Sequence, residues 1–82
     1  MADIEVNQVL DAKGLSCPLP ILKTRKALNG LSLGQILKVE TTDPGSQKDM
    51  ASWAHRTGNE IVKVEQSGAA YIFYIKKTAS GE

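Results

Sequence analysis

The chain has 82 residues, of which 41% are hydrophobic and 23% charged, and its formal net charge is +1. We expect one domain over residues 1–82, with the composition of a folded globular chain rather than a disordered or membrane-spanning one. The near-neutral balance argues against tight direct binding of nucleic acid. The opening stretch, MADIEVNQVLDAKG, lacks the basic and apolar segments of a signal peptide. With a single cysteine, this favours a cytoplasmic protein with no membrane association.

The first predicted elements are a strand and a helix. Apolar and β-branched residues predict the strand within residues 4–12, and Gly14 ends it. The run PLPILKTRKALNG predicts a helix that starts at Pro18 and stops at Gly30. Its expected apolar stripe comprises Ile21, Leu22 and Leu28. Lys23 and Lys26 are expected to turn to water, and Arg25 is expected near the border of the stripe.

A second strand and helix follow. Residues 35–42 alternate, with Leu37, Val39 and Thr41 expected on one side of a sheet. Asp43 is a candidate N-cap for the next helix, with Pro44 at the first position, although Gly45 and Ser46 allow a start a few residues later. Its buried face is expected to comprise Met50, Trp53, Ala54 and Thr57, and Gly58 is the expected stop.

The last two predicted strands, EIVKVEQ and YIFYIKK, form a hairpin around Ser67-Gly68. The order β-α-β-α-β-β predicts an α/β (α+β) fold, a two-layer sandwich with a four-stranded mixed sheet and two helices on one face. The other face is expected to meet water in part, since charged residues alternate through its strands: Lys38, Glu40, Lys63 and Glu65.

The most informative residue is Cys17, which stands in the run GLSCPLP directly before Pro18. A cysteine at a helix N-terminus lies near free N–H groups and the positive end of the helix dipole, and both favour thiolate over thiol. A persulfide anion would be favoured by the same field. The segment is also locally basic, since no acid occurs between Ala12 and Val39. Two prolines fix the backbone of the first turn, which suits a thiol projected toward another protein.

Other chemistries lack their partners in this sequence. A thioredoxin-like pair needs a second cysteine, and a zinc site needs about four ligands. A cysteine hydrolase needs a positioned base, and the single histidine, His55, is expected on the surface of the second helix. We therefore expect no metal and no cofactor. Cys17 would accept and hand on a group rather than catalyse a multi-step reaction.

Structural explanations compete with the functional ones. A lone free cysteine in a small protein is commonly a buried apolar filler, and a lysine-rich window can be a solvated helix face. Met50 and Trp53 fit core packing better than partner binding, and Asp43 fits a cap. The aromatic residues near the C-terminus fit a strand, with a base-stacking platform as the alternative: Tyr71, Phe73 and Tyr74.

The runs LDAKGLSCPLPILKTRKAL and LGQILKVETTDPGSQKDMASWAHRTGNEIV resemble the TusA/SirA-like sulfur-carrier family from Leu10 to about Lys77. The resemblance implies the two-layer sandwich described above. It implies that Cys17 accepts a persulfide sulfur from a donor protein, a cysteine desulfurase or a rhodanese, and passes it to an acceptor protein. The expected partner-binding residues are Pro18, Leu19, Pro20, Lys23, Arg25 and Asp43.

The family serves tRNA 2-thiolation, molybdenum-cofactor synthesis and sulfur oxidation, and the resemblance does not select among them. The familiar tRNA-thiolation member has an acid between the two prolines, where this chain has Leu19. Two other functions stay open from the residues themselves. One is a non-enzymatic regulatory or binding module, and the other is a redox sensor in which Cys17 is oxidised.

Overall fold

The computed structural model of the chain describes residues 5–15 and 19–78. The elements follow the predicted order: β1 (Gln8–Ala12), α1 (Leu19–Asn29), β2 (Ile36–Thr41), α2 (Ser46–Thr57), β3 (Glu60–Ser67) and β4 (Ala70–Lys76). The first position predicted for α1, Pro18, and the thiol-bearing Cys17 lie outside the described residues. The first strand was predicted within residues 4–12, and β1 occupies the second half of that range.

The four strands form one mixed sheet in the order β1-β2-β4-β3. β1 and β2 are parallel, with Ala12 opposite Thr41 at their carboxyl ends. β4 lies antiparallel to both of its neighbours. Parallel neighbours require a crossover connection, and α1 supplies the one between β1 and β2. This arrangement confirms the predicted fold class.

Both helices pack on the same face of the sheet. Leu37 and Val39 of β2 contribute to one buried cluster with the apolar residues of both helices and of β4: Leu28, Met50, Trp53, Ala54, Phe73 and Ile75. Thr41 is also fully buried on this side. The alternation in β2 was therefore predicted correctly from its periodicity of two. Three of the four residues expected on the buried face of α2 are buried, and the fourth, Thr57, is half-buried.

The buried stripe of α1 differs from the prediction at Leu22, whereas Leu28 is buried and Ile21 packs against the core as expected. Pro20, Thr24 and Leu28 are the buried residues, four positions apart, whereas Leu22 is 44% exposed. Leu22 follows Pro20 by two residues, which is about 200° around a helix with 3.6 residues per turn, so it points away from the sheet. The Thr24 hydroxyl is compatible with burial because it donates a hydrogen bond to the Pro20 carbonyl at 2.7 Å.

The start of α2 also differs from the prediction. The N-cap is Gly45, which has no side chain to cap the first turn. Asp43 lies two residues earlier, where its Oδ1 accepts the Gly45 amide at 3.2 Å and its carbonyl accepts the Ser46 amide at 3.0 Å. These bonds form a turn that leads into the helix, as Asx residues commonly do. The helix ends as predicted at Gly58, whose φ of 81° is left-handed.

The helix-free face of the sheet, hereafter the open face, carries the alternating charged residues that the sequence predicts there. Lys38 and Lys63 lie near the Tyr74 ring, with their Nζ atoms 6.0 and 5.9 Å from its centroid. Tyr71 and Phe73 are on the helix side of β4 instead, because Phe73 is buried and Tyr71 packs against the core. The three aromatic residues therefore do not form a base-stacking platform.

Two further observations concern the described residues as a set. Within residues 5–15 and 19–78, no helix is long and apolar enough to cross a membrane. The same residues contain no group of three or more His, Cys, Asp or Glu side chains that could hold a metal ion.

Candidate functional site

Two loops meet at the end of the sheet where β1 and β2 finish. Ala12 and Thr41 are register partners at the last pair of these parallel strands. The chain leaves Ala12 toward α1 through the segment that contains Cys17, and it leaves Thr41 toward α2 through Asp43. Loops that follow parallel strands share one edge of the sheet, where ligand and catalytic sites of open α/β sheets commonly lie. We call this edge the carboxyl end.

The loop after β1 is tied down at several points. The Gly14 amide donates to the Thr42 hydroxyl oxygen at 3.0 Å, across 28 residues of sequence. The Lys13 amide donates to the Asp11 carboxylate at 3.0 Å, and the Lys13 ammonium lies 3.4 Å from Glu40. The described part of the loop is thus held to its own strand and to the neighbouring one. The structure therefore describes the chain between β1 and Cys17 as far as Leu15.

Both helices begin at the carboxyl end, so two positive helix dipole ends lie at the same edge of the sheet. α1 has no acidic residue in its first turn, whereas α2 has Asp49. An anion at this edge would meet a favourable dipole and first-turn N–H groups that have no intrahelical partner, and both stabilise negative charge. The arrangement therefore suits chemistry in which sulfur carries negative charge.

The fold also separates charges between its two faces. The two helices together carry five exposed cations and one acid; the cations are Lys23, Arg25, Lys26, Lys48 and Arg56. We call the surface formed by these five residues the basic helix layer. The ion pairs among the described residues involve Lys13, Lys38 and Lys63 instead. The basic helix layer therefore faces solvent without the carboxylates that neutralise the open face.

The structure places the predicted site residues unequally. Cys17 and Pro18 lie outside the described residues. Leu19 is 45% exposed at the first position of α1, whereas Pro20 is fully buried and so contributes to packing rather than to a partner surface. Lys23 and Arg25 are exposed on α1.

Asp43 is half-buried in the loop at the carboxyl end, which brings it to the same edge as the described part of the loop after β1, residues 13–15.

Two residues at this end were missed by the sequence analysis. Leu22 is exposed three positions after Leu19, so α1 presents two apolar side chains on one stretch of its surface. Leu19 and Leu22 are three residues apart and therefore lie on the same side of the helix. An assignment of Pro20 to the core would have predicted that both are exposed. Thr42 was noted only as the end of a strand, and no local pattern indicates its bond to a residue 28 positions away.

The groups with perturbed pKa values lie elsewhere, on the open face. A hydrogen bond from Lys63 at 3.0 Å and another from the Tyr74 hydroxyl at 2.9 Å lower the pKa of Glu65. The same contacts with Glu65 raise the pKa of Lys63 and of Tyr74. The cluster is solvent-exposed and its charges are mutually compensated, which is typical of a surface ion pair. We assign it no functional role.

Comparison with known proteins gives a family and two close relatives. The family described as Sulfurtransferase TusA matches residues 8–77. The chain is 51% identical over 78 residues to the sulfur carrier protein TusA of Allochromatium vinosum, which covers 95% of this chain and 100% of that protein. It is 32% identical over 79 residues to the sulfur carrier protein TusA of Pseudomonas putida, strain W619, covering 96% of this chain and 99% of that protein.

A solved structure has the same architecture. The SirA-like protein from Desulfitobacterium hafniense superposes with a TM-score of 0.75 at 24% sequence identity, covering 87% of this chain and 97% of that one. At this identity the likeness concerns the fold. The family match and the two relatives go further, and the chain belongs to the TusA family of sulfur-carrier proteins. The resemblance seen in the sequence is thus confirmed.

Proposed function

We propose that this chain carries sulfur as a persulfide on Cys17. The thiolate of Cys17 attacks the terminal sulfur of a donor protein's persulfide, a new S–S bond forms on Cys17, and the donor leaves as a thiolate. The acceptor protein repeats the same exchange and releases Cys17 as a thiolate. Each step exchanges one S–S bond for another, so no external oxidant or reductant is needed.

The observation that carries the proposal is the position of the described flanks of Cys17 at the carboxyl end. Leu15 ends the tied part of the loop and Leu19 begins α1, and α2 begins at the same edge. Helix N-termini stabilise an anionic persulfide, because their N–H groups have no intrahelical partner and can donate hydrogen bonds to it without breaking the helix. The names of the relatives support the same chemistry.

The lack of a resolving thiol favours a carrier over a redox enzyme. The chain has one cysteine, so a persulfide formed on Cys17 has no thiol within the chain to displace it. It would persist until another protein takes the sulfur. A reducing, cytoplasmic setting suits such a thiol, because disulfides with other proteins are disfavoured there.

The donor test is direct. The protein is incubated with cysteine and a cysteine desulfurase, or with thiosulfate and a rhodanese, and its intact mass is measured. We expect a gain of one sulfur atom that reductant removes and that Cys17→Ser abolishes. A gain of oxygen under peroxide, with no sulfur gained from either donor, would instead identify a redox sensor.

We propose that the basic helix layer contacts the donor and acceptor proteins. Leu19 and Leu22 would provide an apolar centre and Lys23 and Arg25 a charged border, an arrangement common in protein interfaces. Rim charges act mainly on the association rate and its salt dependence. Asp43, at the same edge as the Cys17 segment, would lie beside this contact.

Charge reversal tests this surface. Arg25→Glu should slow sulfur transfer from the desulfurase by about tenfold at low salt, and the effect should shrink as salt is added. Lys76→Glu is the matched control, since it changes the charge equally but lies on β4. Equal effects of the two variants would show that net charge matters and the surface does not.

The most specific part of the proposal concerns the pathway that receives the sulfur. tRNA 2-thiolation, molybdenum-cofactor synthesis and sulfur oxidation are the three candidate destinations. An exposed leucine at position 19 favours an acceptor whose docking site is apolar at that point. Leu19→Glu should weaken transfer to such an acceptor more than it weakens loading of Cys17 by the donor, and the ratio of the two effects separates acceptor recognition from persulfide formation.

A further inference from the structure

The bond between Gly14 and Thr42 fixes the loop that leads to Cys17. The pairing of β1 with β2 ends at Ala12 and Thr41, so the Gly14 amide lies beyond the last pair of the ladder. The Thr42 hydroxyl oxygen accepts this amide at 3.0 Å. Gly14 has a left-handed φ of 81°, which turns the chain away from the strand direction three residues before Cys17.

Thr42 is itself supported by a well-connected loop. The Asp43 amide donates to the buried Thr41 hydroxyl at 3.2 Å, and the Gly45 amide donates to the Asp43 carboxylate at 3.2 Å. The Ser46 hydroxyl donates to the Asp43 carbonyl at 2.7 Å. The loop into α2 is therefore braced on both sides of Thr42. A hydroxyl presented from such a support can define where the neighbouring loop runs.

We propose that Thr42 is a positioning residue for sulfur transfer, acting through the Gly14 amide on the segment that carries Cys17. This inference rests on the proposed function. Exchange between two sulfurs requires the attacking thiolate to approach in a defined direction at about 3–3.5 Å. A loop anchored only at β1 and α1 samples more positions, so a smaller share of encounters with the partner protein is productive.

The test compares three variants. Thr42→Val keeps the size of the side chain but removes the acceptor, and Thr42→Ser keeps the hydroxyl. Thr78→Val is the matched control, because the Thr78 hydroxyl also makes a long-range hydrogen bond, to the Gly58 carbonyl. Thr78 lies just beyond β4, whose last residue, Lys76, pairs with Ile36 at the start of β2. The control is therefore at the opposite end of the sheet from Thr42. Thermal unfolding establishes that each variant is folded before it is assayed.

Two readouts distinguish positioning from a structural role. We expect Thr42→Val to speed hydrogen exchange at the Gly14 amide and to lower kcat for sulfur transfer by about three- to tenfold, the range of one net hydrogen bond. The KM for the donor should stay within about twofold, because the basic helix layer is unchanged. Thr42→Ser and Thr78→Val should behave as the unsubstituted protein does.

The outcomes that overturn the proposal are specific. An unchanged Gly14 exchange rate in Thr42→Val would show that the bond does not hold the loop. Faster exchange with unchanged kcat, or a Thr42→Ser variant as slow as Thr42→Val, would show that the bond does not position the thiol.

A control independent of sulfur separates this inference from the proposed function. If the unsubstituted protein takes no sulfur from any donor, the proposed function fails. The rate of Cys17 alkylation by iodoacetamide then decides the positioning role. We expect it to fall about threefold in Thr42→Val, because the loop that leads to Cys17 then loses its bond to Thr42 and thiol reactivity depends on the surroundings of the sulfur. An unchanged rate would refute the inference.

Discussion

Replacing Lys77 by methionine should lower the free energy of unfolding by about 1–2 kcal/mol. Lys77 follows β4 and is only 8% exposed, and its ammonium donates a hydrogen bond to the Leu31 carbonyl at 2.7 Å. Leu31 lies just after the end of α1, where helix carbonyls lack intrahelical partners. A hydrogen bond from a charged donor contributes about 1.5–3 kcal/mol. Relief from burying the ammonium offsets part of the loss, which gives the expected range.

The measurement is urea unfolding of Lys77→Met beside Lys76→Met. The two neighbours lie on opposite sides of β4, and Lys76 faces the open side of the sheet opposite Ile36. We expect Lys76→Met to change stability by less than about 0.5 kcal/mol. For a domain of this size each kcal/mol moves Tm by about 4–8 °C, which thermal unfolding resolves.

The result that would refute this reasoning is equal stability of the two variants. Loading of Cys17 with sulfur should be unaffected by Lys77→Met well below its Tm. Lys77 is bonded beside the start of β2, since its amide donates to Gln35 at 2.9 Å, and the carboxyl end lies at the other end of that strand. Lost loading in a folded Lys77→Met would mean that the two ends are coupled.

Three further predictions concern the core, the loop and pH. Met50→Ala should cost about 2–5 kcal/mol in urea unfolding, because Met50 is fully buried, whereas Met50→Leu should cost under about 1.5. Gly14→Ala should cost about 1–2 kcal/mol through its left-handed φ alone, since an added Cβ meets no atom within 4 Å. The lowered pKa of Glu65 means that its carboxylate adds stability above about pH 4.3 that is lost as pH falls through the folded pKa. Glu65→Gln should therefore show a shallower loss of stability in acid than the unsubstituted protein.

Each of these has a contradicting result. Equal stability of Met50→Ala and Met50→Leu would mean that the core around Met50 collapses onto the smaller side chain. A neutral Gly14→Ala would mean that the loop relaxes to an ordinary φ. Parallel acid unfolding curves for Glu65→Gln and the unsubstituted protein would show that the pairing with Lys63 contributes nothing measurable.

The sequence was sufficient for those elements whose pattern is strong and repeated. β2 alternates between core and open face over six residues, and α2 repeats its apolar residues at helical spacing, so both were predicted with their buried sides. The pattern of α1 is weaker. Its buried positions include Pro20 and Thr24, which hydrophobicity alone does not mark, so Leu22 was assigned to the core incorrectly.

The candidate site stays a prediction, and the structure shows only where its described residues lie. The role of Cys17 was inferred from its proline neighbours. Lys23 is exposed as expected, and Arg25, which was expected near the border of the apolar stripe, is exposed as well. Pro20 was placed at the partner surface because it belongs to the same run of residues. Its burial follows from the direction in which α1 packs on the sheet, which the run itself does not contain.

What the sequence determined by itself was the order of elements, the parallel start of the sheet and a lone thiol before two prolines. These follow from local periodicity and from turn and cap residues, which act over a few positions. The tertiary structure alone decided that both helices begin at one edge, that their cations share one layer, and that Thr42 holds Gly14. These depend on strand register and packing direction, which bring together residues that lie far apart in the chain and leave no local trace.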